Sequence, residues 1–311
     1  MSSKRKLIST LMCVGALTAG LFVSGCGSDK AADKVSSAVS SVTDSKSDEK
    51  LNKAFDELIK TTNDFNGNNV TWGQQHAENL AKLKAGFDEY AINTQPKFES
   101  LQKGLQKSKE IGNTYKEVDT ERDNVLAVLD ELMPVYKELK SYTDSKAYLN
   151  DGKAKGNELA AKYVAAVEKF NAAYDKLGEV INTTNKEKNK KKMEQMKKDG
   201  YKNYAAVMEA TLRLTELVEK VQATYTNPDK AAIEKEMGEI QGLINGIDST
   251  DSAKESLSRN LNDTIGAIRQ VMVDPNDKYQ DRNLNRMIQQ YNSYIDSYNR
   301  TKPDALDGKK K

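Results

Sequence analysis

Few side chains in this sequence have the chemistry of an active centre. There is one histidine, His76, and there are two cysteines, Cys13 and Cys26, among 311 residues. A Ser-His-Asp triad would rest on His76 alone, and a zinc site asks for two or three His or Cys ligands. His76 stands one turn before Leu80 on the same face, so helical spacing places it in a half-buried seam. Glu78, two residues further on, points to a different face and is poorly placed to share a metal with it. Carboxylates are plentiful, 46 in all, and pairs such as Asp119 with Asp123 or Asp130 with Glu131 have the residue types of a glycosidase acid and base. Such a pair works only in a cleft that sets its separation, and chance pairing is expected where acids and bases alternate on helix faces. No Gly-rich phosphate loop, G-x-S-x-G elbow or calcium loop is present. The expectation is no catalytic residue, no metal, no cofactor, and a protein that is not an enzyme.

Cys26 offers a different chemistry because of what precedes it. Lys4, Arg5 and Lys6 lead into an uncharged run from Leu7 to Gly25, the basic and apolar regions of an export signal. The run ends in Val23-Ser24-Gly25-Cys26, which looks like a bacterial lipobox, where small residues let a lipoprotein signal peptidase reach the backbone once the thiol carries diacylglycerol. Residues 1–25 are then removed and Cys26 opens the mature chain. The other reading is an uncleaved membrane anchor, since the uncharged stretch from Leu7 to Ser28 reaches the length of a span, but its Gly, Ser and Thr content makes it a poor one. Either way the basic end stays inside and the rest lies outside the cytoplasm. Each buried methylene is worth about 0.8 kcal/mol, and two acyl chains hold stably where one does not. The expected location is therefore the extracytoplasmic face of a bacterial cell membrane, held by lipid. Cys13 leaves with the signal and the Cys26 sulfur is taken by lipid, which excludes disulfides and thiolate chemistry.

Loss of the first 25 residues also removes three basic groups and leaves charge nearly balanced, which argues against a nucleic-acid partner. Residues 26–46 are rich in Ser, Asp, Lys and Ala and read as a flexible tether. The lysine run at 186–198, with Lys186, Lys188, Lys190, Lys191, Lys192, Lys197 and Lys198, reads as a solvated helix face or bend. It is also the surface that would meet anionic lipid or an anionic wall polymer. Residues 303–311, ending in three lysines, read as a disordered basic tail.

Between these ends, apolar residues recur in steps of three and four, the signal of helices, and no strands are expected. Tyr115, Val118, Arg122, Val125, Leu129, Leu132, Tyr136 and Leu139 form the clearest seam. Thr114 and Glu117 have the spacing of a capping box at its start, and Pro134 predicts a kink. A second seam runs Leu159, Tyr163, Ala166, Phe170, Ala173, Leu177 and Val180, and a later one begins with Ser252 and Glu255 as its cap. "FNGNN", "YTNPDK" and "INGIDSTDS" supply turns. The predicted fold is all-α: an elongated antiparallel bundle of seven to nine helices over residues 47–302, with 182–200 as the candidate joint.

Tyr291, Tyr294 and Tyr298 share one face of the last helix. A buried phenol needs a hydrogen-bond partner, so this row suits a core with polar edges or a groove that binds something; core packing is favoured, with a binding surface as the other reading. Trp72 is expected to begin a helix. "YLNDGKAKGNEL", "FNAAYDKL", "DGYKNY" and "MIQQYNSYIDSYN" resemble the YiiG-like bacterial lipoproteins. That resemblance implies a helical envelope lipoprotein of unknown activity and supplies no catalytic residues. Two functions follow as expectations: a non-enzymatic interaction or structural protein of the envelope that meets another envelope protein or wall polymer, and a solute-binding or sensing lipoprotein with a pocket between helices.

Overall fold

The computed structural model describes residues 45–92, 96–274, 277 and 279–308, and within the first helix the side chains of 49–67, 73 and 75–85. The signal segment, the lipobox, nearly all of the tether and the side chain of Trp72 lie outside the described residues. Among the described residues every regular element is helical. They form two compact units, the N-terminal one ending at Asn182 and the C-terminal one beginning at Thr183.

The N-terminal unit contains α1 (Ser45–Ala85), α2 (Phe98–Ile111), α3 (Lys116–Asp144), a 3-10 turn (Ala147–Leu149) and the first part of α4 (Ala154–Lys198). Polar contacts fix the order of the helices. Ser108 Oγ donates to the Ala54 carbonyl at 2.8 Å and Lys107 meets Glu57 at 2.8 Å, so α2 runs antiparallel to α1. Gln102 donates to Asp130 at 2.6 Å and Lys109 meets Asp123 at 3.0 Å, which sets α3 antiparallel to α2. Lys169 with Glu131 (3.3 Å) and Lys155 with Glu138 (3.0 Å) do the same for α4 and α3. The Tyr174 hydroxyl closes the ring by donating to Asn66 Oδ1 of α1 at 2.8 Å. The interior is aromatic: Phe98 meets Phe170 edge-on at 5.0 Å, Phe65 meets Tyr174 at 5.2 Å, and Phe170 stacks on Tyr174. A Cβ on Gly104 would collide with the Thr61 side chain, so that glycine lets α1 and α2 approach closely.

Two local expectations are corrected here. "FNGNN" is not a turn, because α1 runs through it. A mid-helix glycine costs about 1 kcal/mol, and burial of Phe65 and Asn66 against α4 outweighs that local preference. The Thr114–Glu117 box also fails. The helix begins at Lys116 with Tyr115 as its N-cap, Glu117 is exposed, and both the N–H and the hydroxyl of Thr114 donate to Asp119 instead, at 3.0 and 2.7 Å. Pro134 sits on an exposed face inside α3.

The C-terminal unit takes the end of α4 and then α5 (Lys202–Thr224), α6 (Lys230–Asn245), α7 (Ser252–Val273), α8 (Gln280–Arg300) and α9 (Pro303–Asp307). Lys186 to Glu219 at 2.8 Å and Lys197 to Glu209 at 3.7 Å lay the end of α4 antiparallel along α5. Arg213 joins α5 to Glu236 of α6 at 2.7 Å, Arg269 joins α7 to Glu234 of α6 at 2.9 Å, and Asn260 of α7 donates to Ser297 of α8. Tyrosine–threonine pairs return α8 to α5. α5 is therefore buried on two faces, through Tyr204, Met208, Thr211, Thr215 and Val218 and through Val207, Leu214, Leu217 and Val221.

The division between the units falls inside 182–200, where residues 182–198 are helix throughout and the turn is confined to Asp199 and Gly200. Two further expectations shift. α7 is capped by Asp251 rather than Ser252, with its carboxylate accepting from the Ala253 N–H at 2.8 Å. The segment 303–311 is not a disordered tail over its described part, since Pro303–Asp307 is helical and Leu306 is buried. No helix among the described residues is long and apolar enough to cross a membrane.

Candidate functional site

The tyrosine row of α8 faces inward. Tyr291, Tyr294 and Tyr298 are at most 1% exposed, which puts them in the seam with α5, the core placement favoured from their spacing, and leaves the alternative of an exposed binding surface without exposed rings. Thr215 Oγ1 donates its proton to the Thr211 carbonyl (2.8 Å) and Thr211 Oγ1 to the Val207 carbonyl (2.7 Å). Each threonine oxygen is thereby left as an acceptor, so Tyr291 donates to Thr215 at 2.8 Å and Tyr294 to Thr211 at 3.1 Å. Burial pushes both phenols well above the ordinary tyrosine range, and the threonine hydrogen bonds offset part of that push. Tyr298 differs. Its ring stacks on Tyr204 at 6.2 Å, and its buried hydroxyl meets the Tyr204 hydroxyl outside good hydrogen-bond geometry.

The carboxylate pairs are tied to cations or amides. Arg122, the one charged member of the α3 seam, is 2% exposed, with Nη1 2.9 Å from Asp119 and Nε 3.1 Å from Asp123. The Nη1 contact is close but lies off the hydrogen-bond line. Burial pushes the Asp123 carboxyl up, but hydrogen bonds from Lys109 and Arg122 outweigh it and hold the group below its usual value. A carboxyl held in its ionised form is the opposite of what a general acid needs. Asp130 accepts from Gln102 and Glu131 pairs with Lys169, both on the exposed face. His76 is buried in α1 and Glu78 is exposed. No group of three or more His, Cys, Asp or Glu among the described residues is arranged to hold a metal ion. In the lysine run, Lys186 and Lys197 pair across to α5, while Lys190, Lys191 and Lys198 are exposed.

The structure brings forward a site that periodicity passed over, the apex of the α3–α4 hairpin. Lys146, Gly152 and Lys153 take left-handed backbone conformations, with φ of 55°, 61° and 71°, and each non-glycine residue there costs about 1–2 kcal/mol. Asp151 secures the turn: its carboxylate accepts from the Tyr142 hydroxyl at 2.7 Å and from the N–H groups of Lys153 and Lys155 at 3.0 and 3.2 Å. The Tyr142 hydroxyl, with these amides, holds that carboxyl below its ordinary value. Phe87, from the segment after α1, meets Tyr142 edge-on at 5.3 Å and Tyr148 at 5.6 Å. Lys153 Nζ sits 5.8 Å from the Phe87 ring centre and 3.0 Å from Glu89. A Cβ at Gly156 would stand 2.7 Å from both the Phe87 and Tyr142 rings, so only glycine lets them close. From this tied base two large side chains face solvent, Tyr90 at 74% exposure and Leu149 at 72%. The sequence signal was a leucine set among the turn residues of "YLNDGKAKG", which reads as a connection when only helical spacing is counted.

No curated protein matches the chain, and no solved structure does. A family model does match, over residues 70–304, which takes in the hairpin apex and the tyrosine seam. The chain belongs to that family, DUF3829, whose description is a protein of unknown function.

Proposed function

We propose that this chain is a non-enzymatic interaction protein of the bacterial cell envelope, a YiiG-like lipoprotein anchored through diacylglycerol on Cys26. The observation that carries the reading is the hairpin apex, where Tyr90 and Leu149 are exposed on a base fixed by Asp151, Phe87 and Lys153. Exposed aromatic and aliphatic groups on a preorganised support lose little entropy when a partner covers them, which is how a few side chains come to dominate an interface. The partner on this reading is another envelope protein. The exposed lysines of α4 are the groups an anionic wall polymer would meet, and the near-neutral charge weighs against nucleic acid. The solute-binding alternative has less support, because the phenols of Tyr291 and Tyr294 are engaged by threonines inside the core.

Two experiments test this. Photo-crosslinkers at positions 90 and 149 of the anchored protein in intact cells are expected to capture one defined partner, while a crosslinker at exposed Lys235 captures none; the same background at all three sites removes the interaction reading. Labelled palmitate is expected to travel with the wild-type protein and not with Cys26→Ala. Equal labelling of both would remove the anchor.

A further inference from the structure

The N-terminus of α5 is capped from the far end of the chain. Its N-cap residue, Tyr201, makes no side-chain cap, for a reason that lies in the preceding turn. Gly200 is left-handed (φ 86°), its N–H donates to the Lys197 carbonyl, and the Tyr201 N–H donates to the Met196 carbonyl at 2.9 Å. This is the Schellman pattern that ends α4, and its last position is one that takes an apolar residue. One residue cannot be both that closing group and the short polar acceptor that α5 requires.

Asp307 fills the vacancy. Its Oδ1 accepts from the Asn203 N–H and its Oδ2 from the Tyr204 N–H, both at 2.8 Å. These are the second and third helical amides, the ones an N-cap side chain ordinarily serves. Asn203 Nδ2 donates back to the Leu306 carbonyl at 2.9 Å, Ser249 Oγ reaches the Ala305 carbonyl at 3.3 Å, and Leu306 is 3% exposed. The segment thus rests on the backbone of Tyr204, whose ring stacks on Tyr298. In that layer the Tyr298 hydroxyl meets the Tyr204 hydroxyl off good hydrogen-bond geometry, where the next two phenols of the row each have a threonine.

We infer that residues 302–308 are a latch: Asp307 supplies the missing cap of α5, and release of the segment uncovers the Tyr204–Tyr298 pair while the Tyr291 and Tyr294 layers stay closed. The test uses the full chain. Asp307→Ala is expected to speed hydrogen exchange at the Asn203 and Tyr204 amides about fivefold, the effect of losing a typical N-cap, with the α7 amides unchanged. Unchanged exchange at those two amides overturns the capping role. Deletion of residues 302–311, probed with tetranitromethane and peptide mass spectrometry, is expected to make Tyr204 and Tyr298 reactive while Tyr291 and Tyr294 stay protected. Continued protection of all four overturns the latch. Reaction at all four overturns it as well, since the segment would then be part of the core.

Discussion

The two units solve the same packing problem with different rings. Phe55, Phe65, Phe87, Phe98 and Phe170 all belong to the N-terminal unit, and no phenylalanine follows residue 170. The C-terminal seam uses Tyr204, Tyr291, Tyr294 and Tyr298 instead, all of them buried. Phenylalanines need only shape and an edge-to-face approach, and the Phe65–Phe98–Phe170 group has both. A buried phenol also needs an acceptor, and leaving one unpaired costs about 1–3 kcal/mol. The spacing of Thr211 and Thr215 against Tyr291 and Tyr294 therefore favours one register of α5 and α8, because sliding either helix by a turn would leave one of the two hydroxyls without a threonine. In the N-terminal unit edge-on phenylalanines supply most of the fill, and the single pair of Tyr174 with Asn66 ties α4 to α1. In the C-terminal unit two successive tyrosine–threonine pairs align α5 with α8.

The largest effect that tests this contrast is Phe170→Ala, expected to cost the N-terminal unit about 3–5 kcal/mol in urea unfolding, against about 1 kcal/mol for Tyr291→Phe in the C-terminal unit. Similar losses would erase the distinction. A thermodynamic cycle sharpens it: Thr215→Val leaves the Tyr291 hydroxyl unpaired and is expected to cost about 2 kcal/mol. Thr215→Val with Tyr291→Phe should cost less than the sum of the two single changes by about 1 kcal/mol. Strict additivity would mean that the pair does not set the register.

The smallest effect concerns pH. Burial, then Glu179, pushes the Asp175 carboxyl up, so its contribution to stability is complete below the unfolded value of about 3.9 and is lost as pH rises through its folded value. At neutral pH Asp175→Asn should therefore stabilise the N-terminal unit by a few tenths of a kcal/mol, allowing for its partial exposure, and the gain should vanish in acid. Glu236 has the opposite sign, because the hydrogen bonds of Arg213 hold it low. Its share is present at neutral pH and is lost as pH falls through its folded value. Thermal melts of the wild type, Asp175→Asn and Glu236→Gln across the acid range read the two signs directly.

Seams were legible because they are local. Val118, Val125, Leu129, Leu132 and Leu139 are all buried as their spacing requires, and Arg122 holds the same seam as an ion-paired member. The inward turn of Tyr291 and Tyr294 followed from the same periodicity, but their threonine partners lie about 80 residues away in the chain, beyond any local pattern. Caps were read less well. Thr114 and Ser252 have the right residue types, yet each helix starts one residue away from the expected place, and a one-residue shift exchanges the capping partner. Asp307 was hidden for a stronger reason, since a cap supplied from 103 residues away leaves no mark beside the helix it serves. The apex was hidden because Tyr90 and Leu149 stand out only by lacking cover, a property of the folded surface.

One chromophore marks a single unit. The single tryptophan, Trp72, lies in the N-terminal unit, and the C-terminal unit absorbs near-ultraviolet light through tyrosine alone. Indole emission thus follows one half of the chain alone, whereas the phenols report on both. Independent melting of the halves would appear as an indole transition separated from part of the tyrosine signal in one unlabelled sample.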